Sequence, residues 1–209
     1  LPPTLKTLNL NGTGCFGDAG KADWARLPAL EEVDLHGTKV TGDIVELVTK
    51  LPPTLKQLNL NDTGCFGDAG KADWARLPAL ERVYLRDTKV TGDIVELVAK
   101  LPPTLKNLYL DDRGCFGDAG KADWARLPAL EEVGLERTKV TGDIVELVAK
   151  LPPTLKVLDL HNTGCFGDAG KADWARLPAL EKVWLSGTKV TGSKEDLKAA
   201  GCAAGEIFI

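Results

Sequence analysis

Along "LKTLNLNGTG", Leu8 and Leu10 alternate with polar residues, the period-two pattern of a strand with one buried face. Further on, "GDIVELV" places Ile44, Leu47 and Val48 at i, i+3 and i+4, the apolar stripe of a short helix. Asp43 or Thr41 can cap its start, and Pro52 bars continuation beyond Lys50. "DAGKADWAR" predicts a second short helical turn, with Asp18 as cap and Ala22, Trp24 or Ala25 facing in, although Gly20 weakens it.

The pattern recurs every 50 residues, from Leu1, Leu51, Leu101 and Leu151. Each repeat is itself double. The first half reads "LPPTLKxLxLxxTGCFGDAGKADWAR", with Arg113 in place of the threonine in the third copy, and the second reads "LPALExVxLxxTKVTGDIVELVxK". The halves align as LxxxLxxLxLxxT and LxxLxxVxLxxT. A strand, turn and short helix of this size cannot bury its own leucines. Stacked on like neighbours it can, which predicts a solenoid with a continuous core. From Ser193 the repeat breaks into the more polar "SKEDLKAAGCAAGEIFI", which reads as a capping segment, with "EIFI" as a last short strand. The chain starts at a repeat boundary, as a fragment would, and no matching cap precedes Leu1. An open core edge is expected there, covered by further sequence or by a second molecule.

The two half-motifs resemble the leucine-rich repeat family over the chain up to about Gly192. Leu1, Leu5, Leu8 and Leu10 match its leucine ladder in the first half; Leu27, Leu30, Val33 and Leu35 match it in the second. Two features depart from the usual pattern. Threonine (Thr13, Thr38 and equivalents) stands where the family has asparagine, and "GCFGDAGKADW" is not its standard continuation. "TKVTGDI" looks like the plant and protist variant. The resemblance implies an α/β leucine-rich-repeat solenoid, a horseshoe with a parallel sheet on the concave face and short helices or turns on the convex face. Residues 1–192 would form eight coils and 193–209 the cap.

Composition adds exclusions. The 209 residues are 44% hydrophobic and 27% charged, with a formal net charge of −4 and no basic block. This argues against nucleic acid or an anionic membrane surface as partner. No apolar run approaches the roughly 20 residues of a membrane span, and no signal-peptide pattern occurs. Of five cysteines, Cys15, Cys65, Cys115 and Cys165 hold one repeat position and Cys202 lies apart. Two coils separate successive members of the row, about 10 Å, too far for a disulfide. Buried thiols are expected, weakly favouring an intracellular home; whether Cys202 is exposed stays open. No cysteine or histidine spacing suggests a zinc site.

Other chemical readings fail on spacing. "GCFGDAGKA" is not a phosphate loop, because five residues separate Gly14 from Gly20 and Ala22 follows Lys21. Its Asp, Lys and Cys recur identically in four copies, unlike a single catalytic constellation. His36 and His161 sit several coils apart. No cofactor is implied and no enzyme is expected. The threonine row (Thr13, Thr38, Thr63, Thr88, Thr138, Thr163, Thr188) resembles arrays on ice-binding solenoids, but a buried hydroxyl bonding turn backbone is the simpler reading. Asn11 and Asn61 begin N-glycosylation sequons beside the strands, read as chance.

Differences between copies are localised. The first two repeats differ at seven positions, six of them at strand or strand-exit offsets; the second and third differ at eight, all within the strand segments. Equally exposed positions such as Lys21, Asp23, Arg26 and Glu46 do not vary. Strand alternation places the variable offsets opposite the leucines. The candidate partner-binding residues are Arg82, Tyr84, Arg86, Tyr109, Asp111, Arg113, Glu136, Asp159, His161 and Trp184, since Tyr, Trp and Arg dominate protein interfaces. The expectation is a non-enzymatic module binding a protein or peptide on its concave face. The alternative is a duplicated or designed scaffold without a ligand, monomeric or weakly self-associating through its uncapped first coil.

Overall fold

The computed structural model describes residues 1–111 and 114–209, so Arg113 lies outside the described residues. Among them, nine three-residue strands form a parallel front sheet. They run from Thr7–Asn9 through Glu32–Asp34, Gln57–Asn59, Arg82–Tyr84, Asn107–Tyr109, Glu132–Gly134, Val157–Asp159 and Lys182–Trp184 to Glu206–Phe208. Each strand pairs with the same position of the next coil, as in Leu8↔Val33, Val33↔Leu58 and Leu58↔Val83. One apolar residue per strand points inward at every step, and a one-residue slip would expose the whole row.

A second parallel sheet of eight strands runs alongside, from Phe16–Asp18 and Lys39–Asp43 to Gly164–Asp168 and Lys189–Thr191. Its segments read as turns in sequence. The signal was present but short: in Lys39–Gly42, Val40 and Gly42 are buried while Lys39 and Thr41 are exposed.

The expected helix forms as α1 (Ile44–Lys50), and returns as α2 (Ile94–Lys100) and α3 (Ile144–Lys150). Asp43, not Thr41, is its cap: its carboxylate accepts from the Val45 N–H at 2.7 Å. Thr41 instead donates to the Gly17 carbonyl across the second sheet. "DAGKADWAR" forms two 3-10 turns, Ala19–Lys21 and Trp24–Arg26, rather than one. Trp24 faces in as expected, and its indole N–H donates to the Ala19 carbonyl at 2.8 Å. Ala25 is exposed, a correction that follows from the reset of the helical phase between the two turns.

Leu30, Val33, Ile44, Leu47 and their equivalents form one core, with Trp74, Trp124 and Trp174 as its largest fully buried side chains. Burying each leucine-sized side chain stabilises the fold by about 1.5–3 kcal/mol before entropy. At the entry to the front strands the charge alternates from coil to coil. Glu31 bonds Lys6 at 2.9 Å and Lys56 at 2.7 Å, and these two lysines hold its carboxyl far down, to about 2.

After Lys189–Thr191 comes α4 (Lys194–Ala199), opened by a reciprocal capping box between Ser193 and Asp196. Leu197, Cys202, Ala204 and Ile207 are buried. The first coil differs: Leu1 is 83% and Phe16 84% exposed, against 46% for Phe66, Phe116 and Phe166. Among the described residues no helix is long and apolar enough to cross a membrane.

Candidate recognition face

Outward-facing residues of the front strands form columns, and their chemistry is set partly by their own backbone. Each strand ends in an N–H that needs an acceptor. In four coils the strand residue two positions earlier supplies it: Asn9 to Asn11, Asp34 to His36, Asn59 to Asn61 and Asp159 to His161, at 2.9–3.1 Å. Tyr84 and Gly134 carry no such oxygen. There the preceding coil substitutes: Asn61 accepts from the Arg86 N–H and Asp111 from the Glu136 N–H, both at 2.8 Å. Asp111 is thus a support for the face as much as a part of it.

The next position lies in the left-handed region at Gly12, Gly37, Asp62, Asp87, Arg137, Asn162 and Gly187, with φ between 51° and 74°. Gly, Asp and Asn tolerate this conformation best. The Gly12/Asp62 and Gly37/Asp87 differences therefore trade among residues the backbone allows, and only Arg137 departs from that set.

The structure gathers the expected site residues into three groups. Tyr84 and Tyr109 stack with centroids 5.6 Å apart, and the Tyr109 hydroxyl donates to Glu132 at 2.6 Å. Burial and the Glu132 carboxylate push the Tyr109 phenol well above its ordinary range. Its ring lies across Gly134, where a Cβ would come within 2.3 Å of Tyr109 Cδ1, so Gly134 makes room for it. In the second group, Arg86 Nε meets Asp111 at 2.9 Å and the guanidinium reaches Glu136 at 3.7 Å. Asp111 is only 3% exposed, and burial pushes its carboxyl up to about 7 against the pull of Arg86. Arg82 stands apart from these ion pairs and reaches Gln57 at 3.4 Å.

The third group lies two and three coils further on. Asp159 is half-buried, and that burial raises its carboxyl. His161 bonds Ser186 and Asn162 through its two ring nitrogens, at 2.8 Å each. Trp184 is not an isolated anchor: Phe208 of the last strand stacks on it at 5.6 Å and 3°. Sequence reasoning missed Phe208, Glu132 and Gly134. "EIFI" carried the signal for Phe208, since its strand register sets Phe208 opposite Trp184.

The remaining candidates are scaffold. Thr38, Thr63, Thr138 and Thr163 are buried, and their hydroxyls donate to the carbonyl three residues back at 2.6–2.8 Å. Cys65, Cys115, Cys165 and Cys202 are free and buried, and Cys15 is half-buried. Desolvation pushes the Cys115 thiol up to about 12. Cys202, left open by the sequence, is 4% exposed.

No protein-family model and no curated protein matches the sequence. Solved structures do. The Arabidopsis receptor kinase HAESA ectodomain, in complex with an extended IDA peptide hormone, matches with a TM-score of 0.70 and 21% identity, over 90% of this chain and 30% of that one. A plant ice-binding protein matches with a TM-score of 0.63 and 16% identity, over 98% and 74%. A leucine-rich-repeat protein of Leptospira interrogans matches with a TM-score of 0.53 and 19% identity, over 98% and 60%. The chain spans about a third of the Arabidopsis receptor-kinase chains it resembles, between 29% and 37% in three such structures. At these identities the likeness is one of fold. With two sheets in register from coil to coil and a leucine ladder inside, the chain folds as a leucine-rich-repeat α/β solenoid.

Proposed function

We propose that the chain is a recognition module that binds a protein or peptide through the variable face of its front sheet. The observation that carries this is the pairing of aromatic rings, half-buried Tyr84 with Tyr109 and half-buried Trp184 with exposed Phe208, on the face where the repeats differ. Paired aromatics among charged groups are typical interface anchors. Structural neighbours such as the HAESA ectodomain were solved with a peptide bound. In this reading residues 1–192 supply the coils, 193–209 close the last one, and no group acts as a catalyst. Replacing Tyr84 and Tyr109 by alanine should cut capture of a partner by more than about 10-fold, as expected for two anchors, with little change in Tm. Capture undiminished by the double variant removes the face from the binding role.

A second reading, self-association without a separate ligand, is favoured by one observation. The first coil exposes Leu1, and exposed Phe16 lines an apolar hollow of about 200 Å³ together with Leu8, Leu10 and Trp24.

A further inference from the structure

The two aromatic stacks face each other across Asp159. Centroid separations of 5.6 Å, close to the strand spacing, with planes 17° and 3° from parallel, mean that the rings stack along the solenoid axis. Phe208 stacks on Trp184, and Trp184 is in register with Asp159 on the strand on its other side. On the far side Tyr109 leans over Gly134, with Glu132 held at its hydroxyl. From Gly134 to Trp184 is two strand spacings, about 10 Å. Asp159 makes no ion pair among the described residues; one of its oxygens accepts from the His161 N–H. Of the nearby cations, one lies at Trp184 itself, since Lys182 Nζ sits 5.9 Å from its ring centroid. Arg86 holds Asp111, and Lys182 reaches outward to Glu206 at 3.1 Å.

We infer that the space over Asp159 is a socket for one guanidinium group of the partner, an arginine side chain stacked on Trp184 with its N–H fork on the Asp159 carboxylate. This rests on the front face being the binding face, and it names the chemistry of that face's occupant. A planar cation fits on both counts. An indole ring attracts it through the ring quadrupole, as it already does Lys182, and an adjacent carboxylate accepts its fork. The adjacency is fixed by register, because Asp159 and Trp184 are direct partners on neighbouring strands. Val157, beside Asp159 on the same strand, supplies an apolar neighbour for the methylene stem.

The test uses the full chain and a minimal probe, acetyl-Gly-Arg-Gly-amide, titrated while the Trp184 indole N–H is followed by NMR. Two counterparts carry citrulline, which is planar and neutral, or lysine in place of arginine. The arginine probe should give a saturable shift at Trp184, with both counterparts weaker by roughly 10-fold or more, the scale of a lost charge-assisted contact. Asp159→Asn should weaken the arginine probe by a similar factor without unfolding the chain, since Asn9 and Asn59 already make the equivalent backbone bond. Asp34→Asn, the same change in a coil without facing rings, should leave it unaltered. Equal binding of either counterpart, an unaffected Asp159→Asn variant, or no saturable shift overturns the socket. If partner capture still depends on Tyr84 and Tyr109 in that case, the face stands and only the socket falls; if capture is also independent of them, both fall.

Discussion

Asp111 shows how far a side chain's place on a variable face can mislead. Its position in the sequence reads as one more residue offered to a partner. In the fold it is buried, bonded to Arg86 and supplying the acceptor that Gly134 cannot. Asn61 does the same for Arg86 beside Tyr84. This exchange between coils was not legible in the sequence, because it depends on which residue the next coil lacks and on a register known only once the strands pair. The burial of Asp111 has a consequence for stability. In the unfolded chain its carboxyl ionises near 3.9; in the fold it is held up to about 7 by desolvation, with Glu136 and Asp159 adding to the rise and Arg86 opposing it. Between these two values the folded state keeps a proton that the unfolded state has released. Stability from this site is therefore present at low pH and lost as pH rises through about 7. Asp111→Asn keeps the oxygen that accepts from Glu136 but does not titrate. Urea unfolding from pH 5 to 8 should show the variant gaining on the parent as pH rises. Parallel pH profiles for the two would mean that Asp111 is ionised throughout.

The short helices were legible because their signals are local: an apolar stripe, a capping aspartate and a proline two residues past the end. The second sheet was not, since each of its strands offers at most one clear alternation and gains its hydrogen bonds from neighbouring coils. Glycines tie the two elements together. Gly67 has φ +101°, and a Cβ there would come within 2.6 Å of the Asp43 carboxylate that caps α1. The glycine of "CFGD" thus serves the helix of the coil before it at Gly67, Gly117 and Gly167, while Gly17 has no such neighbour. Gly67→Ala meets both the left-handed backbone and that carboxylate. It should destabilise the chain by roughly 1 kcal/mol or more, readable as a lower midpoint in urea, whereas Asp43→Ala should cost about 1 kcal/mol through the lost cap. Because the two share one contact, the double variant should cost less than the sum. Strict additivity would show that Gly67 is constrained by its backbone alone.

Stacked coils make the molecule close to one-dimensional, so each coil is stabilised mainly by the two beside it. The first coil has one neighbour, and its burial records the difference. Leu5, Leu8, Leu10 and Cys15 are only partly buried, where Leu55, Leu58, Leu60 and Cys65 are fully covered. Phe16 shows the same loss, and the strand Thr7–Asn9 has a partner on one edge only. An unpaired parallel edge beside exposed apolar side chains is a template for another chain. At the other end lie the polar helix α4 and the strand Glu206–Phe208, which also has a partner on one edge only. Were this chain to self-associate through its first coil, as the second reading has it, a two-fold contact would use the same surface on each partner and give a closed dimer rather than a filament. Light scattering on this chain should then show mass rising with concentration toward twice the monomer and no further. Phe16→Lys with Leu1→Lys should hold it at monomer mass without lowering the Tm of the remaining coils, since neither side chain is buried. Growth past the dimer would implicate the second end as well, and a constant monomer mass would mean that the first coil's edge is left to solvent.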